Sequence, residues 1–143
     1  MILLPLWRDL TRIRLSGASF DRVCGYSAVT YYPMTIPHAD RAVVDIRKLR
    51  DYCLNPLHDE GKHKARVFAA ALGMTGADAE RLRDILLQAV ITHDADVGYR
   101  DAYGQRYVVD FLLGWRGRQA MIRSGWMLEH GSDSPRLTSC YVL

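Results

Sequence analysis

The spacing of apolar residues changes from a helical period to a strand period near residue 105, and this change limits the folds open to the chain. Between residues 45 and 92, apolar residues recur every three or four positions, as on one face of a helix. After residue 106 they alternate with polar residues, as in a strand that buries one face. Helices followed by antiparallel strands predict an α+β domain whose helices pack on one face of the sheet.

About three helices are predicted before the strands. The first begins at Asp45 and is ended by Asn55-Pro56, because proline disfavours a helical conformation in the residue before it. Leu54 to Gly61 is predicted to be an ordered loop, and the second helix follows it and closes at Gly73. The apolar stripes of these helices are Ile46, Leu49 and Cys53 for the first, and Ala65, Phe68, Ala69 and Leu72 for the second.

The third helix is predicted to start at a capping box. Thr75 and Asp78 have the spacing of that motif, and the helix runs from there to about Thr92. The stretch from Asp94 to Gln105 contains two glycines and is predicted to be a loop. The apolar stripe of the third helix consists of Ala79, Leu82, Leu86, Ala89 and Val90.

The C-terminal part predicts a three- or four-stranded antiparallel sheet. One strand covers Tyr107 to Trp115, and Arg116-Gly117 is predicted to be a tight hairpin turn into a second strand that ends at Leu128. A polar loop, Glu129 to Pro135, precedes the last strand, Arg136 to Val142, which is rich in residues that favour strands.

Residues 1–35 differ from the rest of the chain because their apolar residues follow neither period. We therefore predict an accessory N-terminal extension at 1–35 and a single α+β domain at 36–143. The regular pattern starts near Met34, which suggests the hypothesis that translation naturally begins there. Mass spectrometry of the natively expressed protein checks this hypothesis, and an intact chain that starts at Met1 would contradict it.

Composition and cysteine usage exclude several classes of protein. Hydrophobic residues make up 49% of the chain, yet no run of about twenty apolar residues could span a membrane, so no membrane partner is predicted. Cys24, Cys53 and Cys140 are odd in number and far apart, which favours free thiols and a cytoplasmic location. The usual zinc, P-loop, dinucleotide-binding and serine-hydrolase motifs are absent from the sequence, so neither a metal nor a cofactor is predicted.

Basic charge is concentrated in one part of the chain. The net charge is +3, and the segment from Arg41 to Arg66 accounts for all of it, with seven Lys or Arg against four Asp or Glu. A phosphate-rich partner such as RNA would dock there most readily. The alternative is that these charges form an ordinary solvated helix surface.

His58 is the leading candidate for chemistry. It lies just before the second helix, where a phosphate would meet an imidazole and free backbone N–H groups. It could act as general base or general acid on an RNA phosphodiester, while Lys64 offsets the charge on phosphorus. Lys62 and Arg66 on the same helix are predicted to contact RNA. The alternative for His58 is a loop histidine bonded to nearby backbone groups.

The strands contribute a second group of candidates. If neighbouring strands pair, Arg123 lies near Thr138 or Tyr141, which would place a guanidinium, a hydroxyl and a phenol on one sheet face. Arg123 is predicted to bind the scissile phosphate, Thr138 or Tyr141 to position it, and Ser139 to contact RNA. The alternative is that this face is simply the solvated side of the sheet.

The chain resembles an uncharacterised bacterial family of small domains over about Ile36 to Leu143. The family is similar to toxins of bacterial toxin–antitoxin or contact-inhibition systems, and its order of elements resembles the barnase, EndoU, colicin and RelE group of metal-independent ribonucleases. Asp59 departs from the family, which often has proline at this position. The blocks that carry the resemblance are Lys48 to Pro56, His58, Gly61, Lys64 to Phe68, Leu72-Gly73, Tyr103 to Tyr107, Arg123 to Trp126 and Pro135 to Thr138.

The resemblance implies a metal-independent endoribonuclease toxin that cleaves RNA by transesterification and is neutralised by a cognate antitoxin or immunity protein. The site it implies lies in a cleft between the helices and the sheet, at His58, Lys64, Arg123, Thr138 and Tyr141. The alternative is a non-catalytic module that binds a protein or RNA through the same basic face.

Overall fold

The computed structural model of this chain describes residues 32–143. Residues 33–143 form one compact unit. The predicted extension at 1–35 therefore lies almost wholly outside the described residues, and its accessory role stays a prediction.

The predicted helices are all present, but the first one has an unusual geometry. It is a π-helix over Lys48–Cys53, in which the N–H of Leu54 donates to the carbonyl of Leu49 at 2.8 Å. Two α-helices follow, α1 at Lys62–Leu72 and α2 at Ala79–Thr92. Short 3₁₀ turns lie at Ala39–Arg41 and Gly76–Asp78.

The caps of the two α-helices follow the sequence prediction. Gly73 closes α1 in the left-handed conformation, with φ of 72°. The capping box of Thr75 and Asp78 is formed, with the N–H of Thr75 donating to Oδ2 of Asp78 at 3.0 Å. The prediction that Ala69 belongs to the buried stripe of α1 is wrong, because this residue is exposed to solvent.

The strands form a four-stranded antiparallel sheet in the order β1-β2-β3-β4. Their bounds are Asp96–Arg100, Gly104–Trp115, Arg118–Glu129 and Arg136–Val142. The α+β prediction is thus confirmed, but the predicted loop from Asp94 to Gln105 is wrong, since it contains β1. This edge strand was hidden because all five of its residues are exposed, which leaves no alternation of buried and exposed positions.

The β2–β3 hairpin closes as predicted at Arg116-Gly117. Both residues have positive φ, 48° and 81°, as a type I′ turn requires. The side chain of Arg116 lies over the Trp115 ring at 5.2 Å and pairs with Asp78 at 3.6 Å. The hairpin turn is thereby tied to the start of α2.

The core lies between the helices and one face of the sheet. Val109 and Phe111 of β2 and Trp126 of β3 contribute large side chains from the sheet. Phe68 of α1 and Leu82 and Leu86 of α2 are fully buried against them. A run of apolar residues in register on β2 and β3 therefore fixes which face the helices cover.

The last strand, β4, is a sheet edge that α1 and the π-helix border. A bulge interrupts its pairing with β3 next to Gly125, and Thr138 is the extra residue there. Edge strands expose polar backbone groups. Val43 pairs with the start of this edge, since its N–H donates to the carbonyl of Pro135 at 2.8 Å and its carbonyl accepts the N–H of Leu137 at 3.0 Å. The rest of the β4 edge lies next to the π-helix and α1.

No helix among residues 32–143 is both long and apolar enough to cross a membrane.

Candidate functional site

A groove of about 550 Å³ runs between the π-helix, the start of α1 and the first half of β4. We call it the basic groove. Four of the predicted site residues line it, namely His58 and Lys64 from the helical part and Thr138 and Ser139 from the last strand. Its lining consists of Asp45, Arg47, Lys48, Asp51, Tyr52, Cys53, His58, Lys64, Leu137, Thr138 and Ser139.

The charges in the basic groove divide into paired and unpaired groups. Arg47 pairs with Asp45 at 2.9 Å, and Asp51 pairs with Arg50 at 3.0 Å. The hydrogen bond from Arg47 lowers the pKa of Asp45, and the one from Arg50 lowers the pKa of Asp51. Both carboxylates therefore stay ionised and bonded to these arginines.

The ammonium groups of Lys48 and Lys64 take no part in this pairing. Within the part of the chain that the structure describes, neither Lys48 nor Lys64 forms a salt bridge. The groove therefore carries two positive charges whose hydrogen-bond donors are available to a ligand, which favours an anion such as a phosphodiester.

Lys64 is held between two aromatic rings. Its Nζ lies 4.9 Å from the centre of the Tyr52 ring and 5.6 Å from the centre of the Tyr141 ring. Contacts of this kind attract a cation to the ring face without neutralising its charge. The two tyrosines thus fix the position of the ammonium group and leave its charge for a ligand.

His58 is anchored by its own backbone neighbourhood. Its Nδ1 accepts the N–H of Glu60 at 3.1 Å and the N–H of Gly61 at 3.0 Å, and its ring meets Tyr52 edge-on at 4.8 Å between centres. Because Nδ1 accepts, the neutral ring carries its hydrogen on Nε2. In this geometry the lone pair of Nδ1 is taken by two backbone N–H groups, and the Nε2–H of the neutral ring is the group that can donate to a ligand.

The hydroxyl groups of Thr138 and Ser139 owe their place to Gly125. A Cβ atom on Gly125 would lie 2.7 Å from Oγ of Ser139 and 3.0 Å from Oγ1 of Thr138. Glycine at this position therefore leaves room for both hydroxyls beside the bulge. Both residues line the basic groove on its β4 side.

Arg123 is not brought into the basic groove. It lies between Asp110 and Tyr141 in a row of directly opposed residues across β2, β3 and β4. Its guanidinium donates to both carboxylate oxygens of Asp110, at 2.9 and 2.8 Å, and these bonds raise its pKa. The guanidinium is engaged by Asp110 and does not line the groove.

Other predicted residues lie apart from the basic groove. Lys62 and Arg66 are on α1 but do not line the groove, and Arg66 is exposed. Tyr141 lies further along β4, in contact with Lys64. Lys48 lines the groove but was missed, although its four-residue spacing from Tyr52 could have indicated a shared helix face.

The two cysteines of the described region are buried thiols. Burial raises the pKa of Cys53, which lies at the base of the groove, and raises that of Cys140 on β4 further still. Both are therefore poor nucleophiles. Among residues 32–143, no three His, Cys, Asp or Glu side chains cluster in a way that could hold a metal ion.

The fold and groove define a small α+β domain whose edge strand faces a basic cleft. Residues 35–143 match the family model described as Domain of unknown function (DUF6883), and the chain belongs to that family. The predicted family resemblance is thereby confirmed.

One similar solved structure is a chain of a contact-dependent growth inhibition toxin–immunity protein complex from Klebsiella pneumoniae 342. The similarity has a TM-score of 0.53 at 19% sequence identity, and it covers 73% of this chain and 96% of that chain. At this identity the similarity establishes a shared fold. No curated protein matches the chain.

Proposed function

We propose that this protein is a toxin-type endoribonuclease that binds and cleaves RNA in the basic groove, in the cytoplasm and without a metal ion. The observation that carries the proposal is that Lys48 and Lys64, which form no salt bridge with any residue in 32–143, line one groove together with His58 and two hydroxyl residues. The shared fold with a chain of a growth inhibition toxin–immunity protein complex supports the toxin class.

The groups in the groove suit stabilisation of charge more than proton transfer. In the proposed transesterification the ribose 2′-oxygen bonds to phosphorus and the 5′-oxygen leaves. The 2′-hydroxyl gives its proton to water, and the leaving oxygen takes one from water. Lys48 and Lys64 would neutralise the phosphorane, and Nε2–H of His58 would donate to one of its oxygens. Thr138 and Ser139 would hold the phosphate from the β4 side of the groove.

An immunity protein or antitoxin is the proposed protein partner. The similar structure is a complex of a toxin with an immunity protein. A partner that covers the basic groove would be expected to present carboxylates to Lys48 and Lys64, because those two ammonium groups lack them here.

The test is cleavage of total RNA in buffer that contains EDTA, with matched charge variants. Lys48→Gln and Lys64→Gln each remove one charge inside the groove, and we expect each to slow cleavage by about a hundred-fold. Arg66→Gln removes the same charge from an exposed position outside the groove and should retain most of the activity.

Binding measurements separate a groove contact from a general charge effect. For a single-stranded RNA, loss of one phosphate contact should reduce the slope of log affinity against log salt concentration by about 0.7. Lys64→Gln should show this reduction and Arg66→Gln should show less of it. Equal slopes for the two variants would overturn the assignment of the groove as the RNA site.

A second candidate function is a non-catalytic module that binds a protein or RNA. The observation that favours it is the outer edge of the sheet at β1, which pairs with no other strand among residues 32–143. Val97 and Tyr99 there are 71% and 65% exposed, and Tyr103 nearby is 74% exposed. Exposed apolar side chains on a free sheet edge are typical of surfaces that pair with another chain. If induction of the protein leaves its host growing normally and purified protein binds RNA without cleaving it, this function replaces the nuclease.

A further inference from the structure

A second groove adjoins the basic groove along β4, and its chemistry is different. It has a volume of about 260 Å³ and is lined by His63, Lys64, Val67, Tyr141 and Val142. Two valines and the ring of Tyr141 make its walls mainly apolar, and none of the described residues that line it carries a carboxylate. We call it the apolar groove.

Lys64 lines both grooves and joins them. Its ammonium group lies 5.6 Å from the centre of the Tyr141 ring, on the apolar side, and 4.9 Å from the Tyr52 ring, on the basic side. A ligand that contacts Lys64 through a phosphate in the basic groove would therefore have its neighbouring part next to the apolar groove.

We propose that the apolar groove is a nucleobase subsite, which takes one unpaired base of the RNA whose phosphate lies in the basic groove. This inference rests on the proposed function and adds to it that the substrate is single-stranded at the site. A nucleobase is a flat, weakly polar group one sugar away from a phosphate, so it matches an apolar cavity next to a lysine. A cavity of about 260 Å³ is slightly smaller than the roughly 300 Å³ at which sites for larger ligands begin.

Tyr141 is the positioning residue of this subsite. It lies directly opposite Arg123 on the neighbouring strand, and the Arg123 guanidinium is held by both oxygens of Asp110. The side chain of Tyr141 thus lies beside a fixed Asp110–Arg123 pair on the sheet, and Lys64 contacts its ring. Arg123 was predicted to bind the scissile phosphate, and in this proposal it instead supports Tyr141.

The experiment compares two non-cleavable probes of equal charge. One is a short 2′-O-methyl oligoribonucleotide, and the other is the same backbone without bases, and affinity is measured by fluorescence anisotropy. Stacking or packing of one base should make the first probe bind at least about five-fold more tightly. Equal affinities of the wild-type protein for the two probes would overturn the base subsite while leaving the phosphate site intact.

Variants of the apolar groove test which residues produce the preference for the probe with bases. Val67→Ser should lose the preference for the probe with bases and keep its affinity for the probe without them. Tyr141→Leu should also lose the preference, and it should bind both probes more weakly because Lys64 loses a ring contact. Tyr141→Phe should keep the preference because it retains the ring. Thermal melting verifies that each variant is folded. A protein that binds neither probe would overturn the proposed RNA function as well, so the two failures are distinguishable.

Discussion

The hydroxyl of Ser124 joins the sheet to its largest buried side chain. Its Oγ donates to the carbonyl of Val109 at 2.8 Å and accepts the indole N–H of Trp126 at 2.9 Å, and the side chain is only 1% exposed. A buried donor that loses its acceptor cannot recover the bond from water.

We expect Ser124→Ala to lower the free energy of unfolding by about 1–3 kcal/mol, because the Trp126 indole is left without its acceptor. Urea denaturation measures this change. Ser134→Ala is the control, since its hydroxyl makes only a long 3.4 Å contact with Asp133 and its removal should cost under about 0.5 kcal/mol. Equal losses in the two variants would show that the Ser124 bonds contribute nothing specific.

The buried thiols make stability depend on alkaline pH. Burial raises the pKa of Cys53 and of Cys140 above the ordinary value of 9.0, so both are neutral in the folded state. In the unfolded chain they ionise near pH 9.0. Their contribution to stability is therefore fully present below that pH and is lost as the pH rises through the raised folded-state values.

We accordingly expect the urea midpoint of the wild-type protein to fall between pH 8 and pH 10. The double variant Cys53→Ala, Cys140→Ala provides the comparison, because it lacks the two buried thiols and keeps every other titratable group. The fall should be smaller in the double variant, and identical falls would show that the thiols do not link folding to pH.

The sequence predicted some of the residues that line the basic groove, but not the hydrogen bonds that their side chains make. His58 and Lys64 were identified from their position before and within α1, and both line the groove. The sequence could not show that Nδ1 of His58 is occupied by two N–H groups, nor that Asp110 engages Arg123, because both facts depend on side-chain geometry.

At the scale of elements, the junction of the π-helix with α1 depends on one glycine. Gly61 precedes α1 and is buried, and a Cβ atom there would lie 2.2 Å from the carbonyl oxygen of Tyr52. That atom belongs to the backbone of the π-helix, so an added methyl group must push the two helices apart.

Gly61→Ala should therefore destabilise the fold by about 1–3 kcal/mol. It should also weaken RNA binding in protein that remains folded, since Tyr52 contacts Lys64. The matched control is Gly114→Ala on β2, where nothing lies within 4 Å of the added atom. Thermal melting measures the stability of both variants, and Gly61→Ala should melt at the lower temperature. Equal melting temperatures would mean that the structure accommodates the added methyl group at Gly61 without cost.

Elements with one buried face could be predicted, and those without one could not. The stripe of α2 is buried as expected, at Ala79, Leu82, Leu86, Ala89 and Val90. Strand β1 has no buried residue, so only its pairing with β2 reveals it. The π-helical geometry at Lys48–Cys53 was also hidden, because Leu49 and Cys53 are buried there at a spacing that an α-helix shares.

At the scale of the whole molecule, residues 33–143 form a compact unit. Within that unit the N–H of Met34 donates to Asp94 at 2.7 Å, and its carbonyl accepts the N–H of Ala95 at 2.9 Å. A chain that starts at Met34 keeps both of these groups.

We expect a protein of residues 34–143 to unfold in one cooperative transition, with a melting temperature within about 5 °C of that of the full chain. Circular dichroism on the two proteins measures this. A truncated protein without a cooperative transition would refute the prediction that 36–143 is the folding domain.

The two walls of the basic groove come from opposite ends of this unit. Lys48 and Lys64 lie early in it, and Thr138 and Ser139 lie in its last strand, so the groove exists only while β4 stays packed against the helices. Any event that loosens β4 from α1 therefore abolishes the site at once, and an occupied site resists that loosening by mass action. Ligand binding is therefore thermodynamically linked to global folding. A core mutation that destabilises the fold reduces ligand binding even when every residue of the groove is unchanged.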